Sequence, residues 1–442
     1  MKQLRSFFFI IISILVLSYF ECSATHSGNR YFYFFERPES YVTKKESIIT
    51  PQIFYSKTST AFRRYGGRCG IPELWGKYDL KDVITSLKTV YGNNIDPIYA
   101  ITGTHELDGK SLKYKIDGEI ETVGFMLEYE QNLKALRLKD FTVGFWLPVY
   151  HMNTTSRFAF DSHAFYNAYH QNLSSAEIVT IDKIRQLTHR EIGIQGTDLN
   201  RDGFGDLDLH VRWNYYAEHA LMMRSIDANI QLGAIAPTSP KMNINYPGTV
   251  PFMNNGHWGM YLDIVPEFEL KQDWKFGLIL GMLEQFNASR TTRLAVGNEP
   301  TTYSALVGKI EEDAGLTLKF SAYFTLENLT DGLHVQFRYS YLRHQMDQWF
   351  DKREDKTINS YIEKNTSSAG LTQQESLKNF DDKSELSKWR AHYFTFQAVY
   401  DSKEGLKNWF MRPKFFASYD LPITGNGICK THQITLGAQL HF

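Results

Sequence analysis

One stretch of the chain has the residue types and the spacing of a calcium-binding loop. Side-chain oxygens recur at every second position, and Gly203 stands where such loops turn sharply. The ligands would be the oxygens of Asp198, Asn200, Asp202, the Phe204 carbonyl and Asp206. Leu209 occupies the position of the bidentate glutamate of an EF-hand, which argues against that motif. We expect either a Ca²⁺ site, with no other cofactor required, or a polar turn that leads into a strand at Leu207.

A second set of charged and imidazole side chains falls on one face of segments in which apolar and polar residues alternate. Successive side chains of a strand point to opposite faces, so these residues would line the interior of a barrel. They are Asp208, His210, Arg212, Asp227, Asp263, Glu267, Lys319, His334, Arg338, Arg412 and Lys414. They would either surround a wet, selective lumen or pair across neighbouring strands and fill a narrow barrel.

The alternation that positions these side chains predicts a barrel of about twelve strands. The clearest segments are residues 207–215, 316–326 and 333–341, and eleven segments of this kind can be counted. Most have the length of a tilted membrane strand, about nine to eleven residues. Because bacterial barrels have even strand numbers, one more strand is expected, at residues 98–103 or 112–116, with ten or fourteen strands as the alternatives.

The connections between these segments sort by length. When the connections are counted back from the C-terminus, the odd-numbered ones are long and the even-numbered ones are short. The long ones are residues 421–432, 344–391, 287–315, 237–257 and 151–205. Outward aromatic residues also gather at the strand ends, as in the headgroup girdles of membrane barrels. These are Tyr215, Trp274, Tyr400 and Phe442 at one end and Trp258, Tyr341 and Tyr419 at the other.

The last ten residues resemble the C-terminal strand that marks Gram-negative outer-membrane β-barrels for assembly. The residues of this assembly signal are Leu436, Ala438, Leu440 and the terminal Phe442. The resemblance implies a closed antiparallel transmembrane β-barrel in the outer membrane. It also implies membrane lipid, lipopolysaccharide and the barrel-assembly machinery as partners. The segment 203–207, with Gly233 and the turn at 236–238, is similar to strand entries of hydrocarbon and phenol-pathway transporters, distant relatives of the fatty-acid channel.

The N-terminal part of the chain is predicted to lie outside the barrel wall. Lys2 and Arg5 precede an apolar stretch, and cleavage after Ala24 would remove residues 1–24 as a signal peptide. Residues 25–94 lack sustained alternation, so we expect a plug in the lumen or a segment docked at the periplasmic mouth. It would contain one helix that starts after Asp79. The barrel is then expected over residues 95–442, with a second helix at 176–187 over the mouth.

Composition narrows the class of protein. After the signal peptide no run of eighteen apolar residues remains, so a helical membrane protein is excluded. The net charge of −1 gives no reason to expect a nucleic-acid partner, and the 15% aromatic content suits a barrel. Cys69 and Cys429 are the cysteines left in the mature chain, either as a disulfide or as two free thiols.

The function expected from these features is passive uptake of small, hydrophobic solutes by an outer-membrane channel or transporter. The alternatives are a structural or adhesive surface barrel with a blocked lumen and a calcium-dependent outer-membrane phospholipase. The phospholipases resemble this chain in strand number, but His210, His334 and His441 face inward without a serine beside them. His344 and Asp347 are the candidate pair for an omptin-like protease. We therefore expect no enzymatic activity.

Overall fold

The coordinates are those of a computed structural model, which describes residues 30, 47–91, 109–219, 223–353, 384–402 and 412–441. The predicted signal peptide, the candidate strand at 98–103 and the terminal Phe442 lie outside the described residues. Arg412 lies in a strand, but its side chain is likewise outside the description.

Eighteen strands and three α-helices are present in the described residues. The strands are β1 (Ser47–Phe62), β2 (Arg68–Cys69), β3 (Tyr78–Asp79), β4 (Lys113–Leu133), β5 (Leu138–Phe160), β6 (Leu199–Phe204), β7 (Leu207–Glu218), β8 (Ser225–Ala236), β9 (Gly259–Lys271), β10 (Trp274–Gln285), β11 (Ala288–Leu294), β12 (Leu306–Asp313), β13 (Thr317–Thr330), β14 (Leu333–His344), β15 (Gln348–Asp351), β16 (Trp389–Asp401), β17 (Arg412–Asn426) and β18 (Ile428–His441). The helices are α1 (Leu80–Tyr91), α2 (Ser162–Tyr169) and α3 (Ser175–Glu191). Short 3₁₀ turns occur at Ile71–Trp75, Lys134–Leu136 and Thr301–Tyr303.

Twelve of these strands form a closed antiparallel barrel, as the sequence predicted. The wall consists of β1, β4, β5, β7, β8, β9, β10, β13, β14, β16, β17 and β18. Strand β1 closes it, because it pairs with β18 on one side and with β4 on the other. Ile53 lies opposite Leu436 of β18 and Phe125 of β4, and the pairing of β1 with β18 has one register shift, between Thr58 and Ala61. A closed barrel leaves no strand edge unpaired around its wall.

The twelfth strand is β1, and the prediction that placed it at 98–103 or 112–116 was wrong. Residues 112–116 instead lead into β4, a long strand that also contains the predicted segment around Val123. The wall therefore begins at Ser47 and not at residue 95. The alternation of β1 is imperfect because Phe54 is buried on the inner face while Lys57 lies on the outer face. Because an apolar residue faces inward and a charged residue faces outward, the alternation of polar and apolar residues did not reveal this strand.

The two ends of the barrel differ in their connections. At the short-turn end, which holds Ser47 and His441, tight turns join β4 to β5, β9 to β10 and β13 to β14. At the long-loop end, extended connections carry all three helices and the second sheet of β11, β12 and β15. One predicted long loop, 421–432, is absent because β17 and β18 extend through it and meet at Gly427. Gly427 has a φ of +65°, which a tight reversal requires.

The outward face of the wall is apolar, and the inward face is polar. Ile53, Leu209, Leu232 and Ile434 are all about half exposed, whereas their sequence neighbours on the inner face are buried. Phe337 is 36% exposed and the adjacent Arg338 only 5% exposed, so the two-residue period places them on opposite sides. An apolar belt around a closed barrel is the surface that faces acyl chains in a membrane-spanning barrel.

No helix within the described ranges is long and apolar enough to cross a membrane.

Helix α1 lies in a cap at the long-loop end, not in the lumen or at the periplasmic mouth, while the plug predicted for residues 25–94 as a whole stays a prediction. Its apolar stripe, including Leu80, Val83 and Leu87, is completely buried. The stripe packs against Ile181 and Ile184 of α3, in one cluster with the 3₁₀ turn Thr301–Tyr303. A helix with one apolar stripe needs a partner surface, and here the partners are other loops rather than the lumen.

The lumen is instead entered by two loop segments, which we call the stopper. The stopper consists of the 3₁₀ turn Ile71–Trp75 and residues 247–253. Its buried apolar side chains pack against inward residues of β1, β4 and β5 in a single cluster. Phe252 has no exposed surface, and its ring stacks on that of Tyr150 with centroids 5.2 Å apart. The stopper therefore covers the inner faces of β1, β4 and β5 with close-packed side chains.

Candidate functional site

Below the stopper, polar side chains from neighbouring strands form a hydrogen-bonded lumen belt. His210 Nδ1 lies 3.0 Å from Asp208 Oδ1, and its Nε2 lies 3.3 Å from Glu130 Oε1. Arg212 pairs with the same Glu130 and also donates to Gln231 Oε1 at 3.1 Å. All five side chains are buried. The buried charges of the belt are thus compensated by Asp208 on the same strand as His210 and by Glu130 of β4, which reaches His210 and Arg212 across β5.

The other predicted lumen residues whose side chains are described, all but Arg412, are buried or half-buried. Lys319 Nζ lies 3.2 Å from Asp263 Oδ2, and Glu267 accepts a hydrogen bond of 2.8 Å from the Tyr323 hydroxyl. Lys414 lies 3.7 Å from Asp401. Asp227 and His334 are half-buried, and Arg338 is buried. Lys414 and Asp401 lie on neighbouring strands, whereas the contacts Lys319–Asp263 and Tyr323–Glu267 join β13 to β9 across β10. The charges therefore pair with one another inside the barrel.

Above the stopper, at the long-loop end, lies a cavity of about 100 Å³, which we call the outer cavity. Its lining comes from the loop before β9, from the second sheet, from the connection between β14 and β16, and from Arg30. Pro251 and Met253 belong to both the outer cavity and the stopper. The floor of the cavity is therefore the element that fills the barrel below it.

One wall of the outer cavity is organised by Glu312, a buried residue of β12. Its Oε1 accepts hydrogen bonds from Arg290 at 2.8 Å and from the Trp349 indole at 3.0 Å, while its Oε2 lies 3.0 Å from His257 Nε2. The other ring nitrogen of His257 faces the Phe286 carbonyl at 2.9 Å. Burial alone would raise the pKa of Glu312, but the charge of Arg290 and the hydrogen bond with His257 outweigh it and hold that pKa well below 4.5. Glu312 is thus a carboxylate at neutral pH.

A second pair, His344 and Asp347, forms the opposite wall. His344 Nε2 lies 2.8 Å from Asp347 Oδ1, and its Nδ1 lies 2.6 Å from the Thr317 hydroxyl. The imidazole stacks on the Trp389 ring, with centroids 5.5 Å apart. Asp347 Oδ1 also accepts from the Gly315 amide at 2.9 Å. The pair proposed from sequence for an omptin-like protease therefore exists, but it is buried and its atoms are held by structural partners.

Three indole rings give the outer cavity its apolar surface. Trp75 and Trp349 lie with ring centroids 5.9 Å apart, and Trp389 lies across the cavity. The Arg30 guanidinium is centred 4.0 Å from the Trp75 ring, close enough for a cation–π interaction. These tryptophans share no sequence motif, because Trp75 lies in a 3₁₀ turn, Trp349 in β15 and Trp389 at the start of the wall strand β16.

The segment expected to wrap calcium has a different conformation. Residues 199–204 form strand β6, paired with β5, so Asn200 and Asp202 project from one face of an extended chain. Asp202 pairs with His151 at 2.8 Å, and Asp206 accepts from the backbone amides of Ser239 and Asn254 at 2.9 and 2.8 Å. Asp202 and Asp206 are thus engaged with separate partners and do not converge on one point as the predicted loop requires. The predicted loop was therefore wrong in conformation, and calcium binding itself stays a prediction.

Across the described ranges, no group of three or more His, Cys, Asp or Glu side chains is arranged to hold a metal ion. The assembly signal remains a prediction as well. Its Leu436, Ala438 and Leu440 lie on the outward face of β18, and Phe442 is beyond the described residues.

The two cysteines are free thiols, which leaves the disulfide alternative unfulfilled. Both are buried on either side of Ala61 of β1, which pairs with Cys69 of β2 and with Cys429 of β18. Two strand spacings separate them, about 9.6 Å, which exceeds the Cα separation that a disulfide spans.

Strand pairing and the outward apolar belt define this chain as a β-barrel of the outer-membrane type. No protein-family model and no curated protein matches the chain. Among solved structures, an outer membrane channel from Pseudomonas putida F1 is similar at 9% identity and a TM-score of 0.49, over 92% of this chain and 100% of that one.

Two further solved structures share the barrel architecture. The translocator domain of the autotransporter NalP from Neisseria meningitidis aligns at 8% identity and a TM-score of 0.36, over 91% of each chain. A FadL homologue from Pseudomonas aeruginosa aligns at 9% identity and a TM-score of 0.33, over 90% of each chain. Since all three TM-scores are below 0.5, the assignment of the barrel rests on the strand pairing of this chain alone.

Proposed function

We propose that this protein is an outer-membrane channel for the passive uptake of small molecules. In this proposal the outer cavity receives the solute and the stopper controls its passage into the lumen. The observation that carries the proposal is the sharing of Pro251 and Met253 between the cavity floor and the stopper. A solute in the cavity lies directly against the element that would have to move.

Passage requires the stopper to leave its present position. It is fixed to the wall at Asp206, a residue without exposed surface whose carboxylate accepts the Ser239 and Asn254 amides. The Asp206 amide lies 3.0 Å from Met253 Sδ in a further contact. Hydrogen bonds to a charged acceptor each contribute about 1.5–3 kcal/mol, so Asp206 acts as a latch on residues 247–253. We propose that opening the channel breaks this latch.

The lumen belt suits a conduit that water enters when the stopper moves. Its polar side chains, unlike a sealed hydrophobic core, can exchange their partners for water at modest cost. The blocked surface barrel is the second candidate, and the close-packed stopper favours it. When the contacts of Asp206 are removed, the channel should conduct, whereas a blocked surface barrel should stay silent.

The test is conductance in planar bilayers with the full chain and the variant Asp206→Ala. Removing the carboxylate frees the Ser239 and Asn254 amides, so we expect stepwise conductance that is larger or more frequent than in the wild type. Asp202→Ala is the matched control, because Asp202 belongs to the same segment but has an 83% exposed side chain and contacts His151 instead of the stopper.

A second variant covers the case in which Asp206→Ala fails to fold. Replacing residues 248–255 by a glycine and serine linker of equal length removes one of the two stopper segments, leaves Ile71–Trp75 in place and keeps every wall strand intact. Detergent gels that separate folded from heat-denatured barrel report folding for each protein. Folded but silent barrels with both variants would refute the channel and support the surface role.

A further inference from the structure

The outer cavity contains buried hydrogen-bond donors without a partner in the described structure. The side chains of Asn254 and Thr301 line the cavity and are only 3% and 5% exposed. Asn254 Nδ2 and Thr301 Oγ1 have no hydrogen-bond partner among the described residues. The neighbouring Thr302 hydroxyl is in the same condition. Leaving such a group unsatisfied costs about 1–3 kcal/mol, so a ligand that accepts these bonds would be stabilised here.

The charges of the lining favour a negative ligand. Three guanidinium groups, those of Arg30, Arg290 and Arg293, face two carboxylates, those of Glu312 and Asp347. Both carboxylates already accept several hydrogen bonds, Glu312 from Arg290, His257 and Trp349, and Asp347 from His344 and the Gly315 amide. The guanidinium groups have partners too, because Arg290 pairs with Glu312, Arg293 donates to the Ile244 and Ser304 carbonyls, and Arg30 donates to the Leu386 carbonyl. The excess of positive charge therefore favours an anion, while the donors without a partner are those of Asn254, Thr301 and Thr302.

The remaining surface of the outer cavity is apolar and flat. The indoles of Trp75, Trp349 and Trp389 and the side chains of Met242 and Met253 supply it. The volume of about 100 Å³ is of the same order as the cavity of about 150 Å³ that takes up benzene in another protein. This space suits one ring and excludes a long acyl chain.

We propose that the outer cavity binds a small organic anion with a flat apolar body. Its carboxylate accepts hydrogen bonds from Asn254 and Thr301, and its ring lies against the tryptophan and methionine side chains. This inference rests on the proposed function in one respect, because it names the class of solute that the channel would receive. Binding itself does not depend on transport.

The test is calorimetric titration of the detergent-solubilised full chain with benzoate, toluene and acetate. Benzoate carries both recognised features, toluene only the ring and acetate only the carboxylate. We expect benzoate to bind, and to bind at least about tenfold more tightly than either fragment. Asn254→Leu and Thr301→Val keep side-chain size but remove one donor each, and each should weaken benzoate binding by about tenfold, the worth of one hydrogen bond to a charged group.

Thr291→Val is the matched control, because Thr291 lies on the same inserted sheet with its side chain exposed outside the outer cavity. It should leave benzoate affinity unchanged, and gel mobility should show that all three variants are folded. The inference is overturned if the wild type does not bind benzoate, if toluene binds equally well, or if all three variants bind alike. Benzoate binding without conductance in the Asp206→Ala variant would refute only the channel, and conductance without benzoate binding would refute only this inference.

Discussion

His257 of the loop before β9 and Glu312 of the second sheet form a buried ion pair, with His257 Nε2 3.0 Å from Glu312 Oε2. Burial alone would lower the pKa of His257, but the hydrogen bond and the charge of Glu312 outweigh it and raise that pKa above 6.5. The protonation of His257 therefore affects how firmly the second sheet is attached beside the outer cavity.

The local stability of the second sheet should depend on pH. A raised pKa of His257 means that its contribution is fully present below pH 6.5 and is lost as the pH rises through the folded-state value. The lowered pKa of Glu312 means that its contribution is present above pH 4.5 and is lost as the pH falls through its folded-state value. We expect amide exchange in β11 and β12 to be slowest between pH 4.5 and 6.5, after correction for intrinsic exchange.

Glu312→Gln should remove the pH dependence of amide exchange in β11 and β12. It leaves Arg290 and His257 buried without a counter-charge, and breaking such a pair costs about 3–5 kcal/mol of local stability. The adjacent Glu311→Gln is the control, since Glu311 lies on the other face of β12 and forms a half-exposed pair with Lys352. An equal effect of the two substitutions on amide exchange would contradict the role of the buried pair.

Gly277 of β10 makes room for a tyrosine of the next strand. A Cβ built on Gly277 would lie 2.1 Å from the ring of Tyr323, whose hydroxyl donates to the buried Glu267. Gly277→Ala should therefore displace the ring and destabilise the barrel by about 1–3 kcal/mol in urea unfolding. In the Tyr323→Ala background the same substitution should cost little, because the ring is gone. Additive effects in this double-mutant cycle would show that the two residues do not interact.

The wall could be predicted from sequence because the membrane imposes a two-residue period on it. Strands such as β14 place Phe337 on the outer face and bury Arg338, the arrangement that keeps charge out of lipid in a membrane-spanning barrel. The same rule failed at β1, where Phe54 packs inward against Tyr150 and contributes to the stopper cluster. A loop that inserts into a lumen changes the polarity that inner residues require.

The outer cavity could not be predicted, because its residues come together only through tertiary structure. Glu312, His257 and Trp349 belong to three separate connections and share no local pattern. The calcium motif shows the opposite error, since its spacing is local but pairing of β6 with β5 extends the backbone. Ladder hydrogen bonds along the strand outweighed the turn tendency of Asn, Asp and Gly.

Helix α3 begins with a capping box. Ser174 Oγ accepts from the Glu177 amide at 3.3 Å, and Glu177 Oε2 accepts from the Ser174 amide at 2.7 Å. Ser174→Ala should destabilise the first turn of α3 by about 1 kcal/mol and speed amide exchange there. Ser175→Ala, one residue later, lacks that role and should have little effect. Equal exchange rates in the two variants would contradict the cap.

The buried thiols offer a test of how the barrel closes. Cys69 and Cys429 flank Ala61 of β1 and lie 8% and 0% exposed. Because β1 separates them, the folded chain should run identically on gels with and without reductant, and a bulky maleimide should label neither thiol before denaturation. Tyr65→Cys, at a position 86% exposed, is the positive control and should be labelled at once. Rapid labelling of the native cysteines in the folded protein would mean that β1 leaves the wall, because β1 pairs directly with the strands that carry both cysteines.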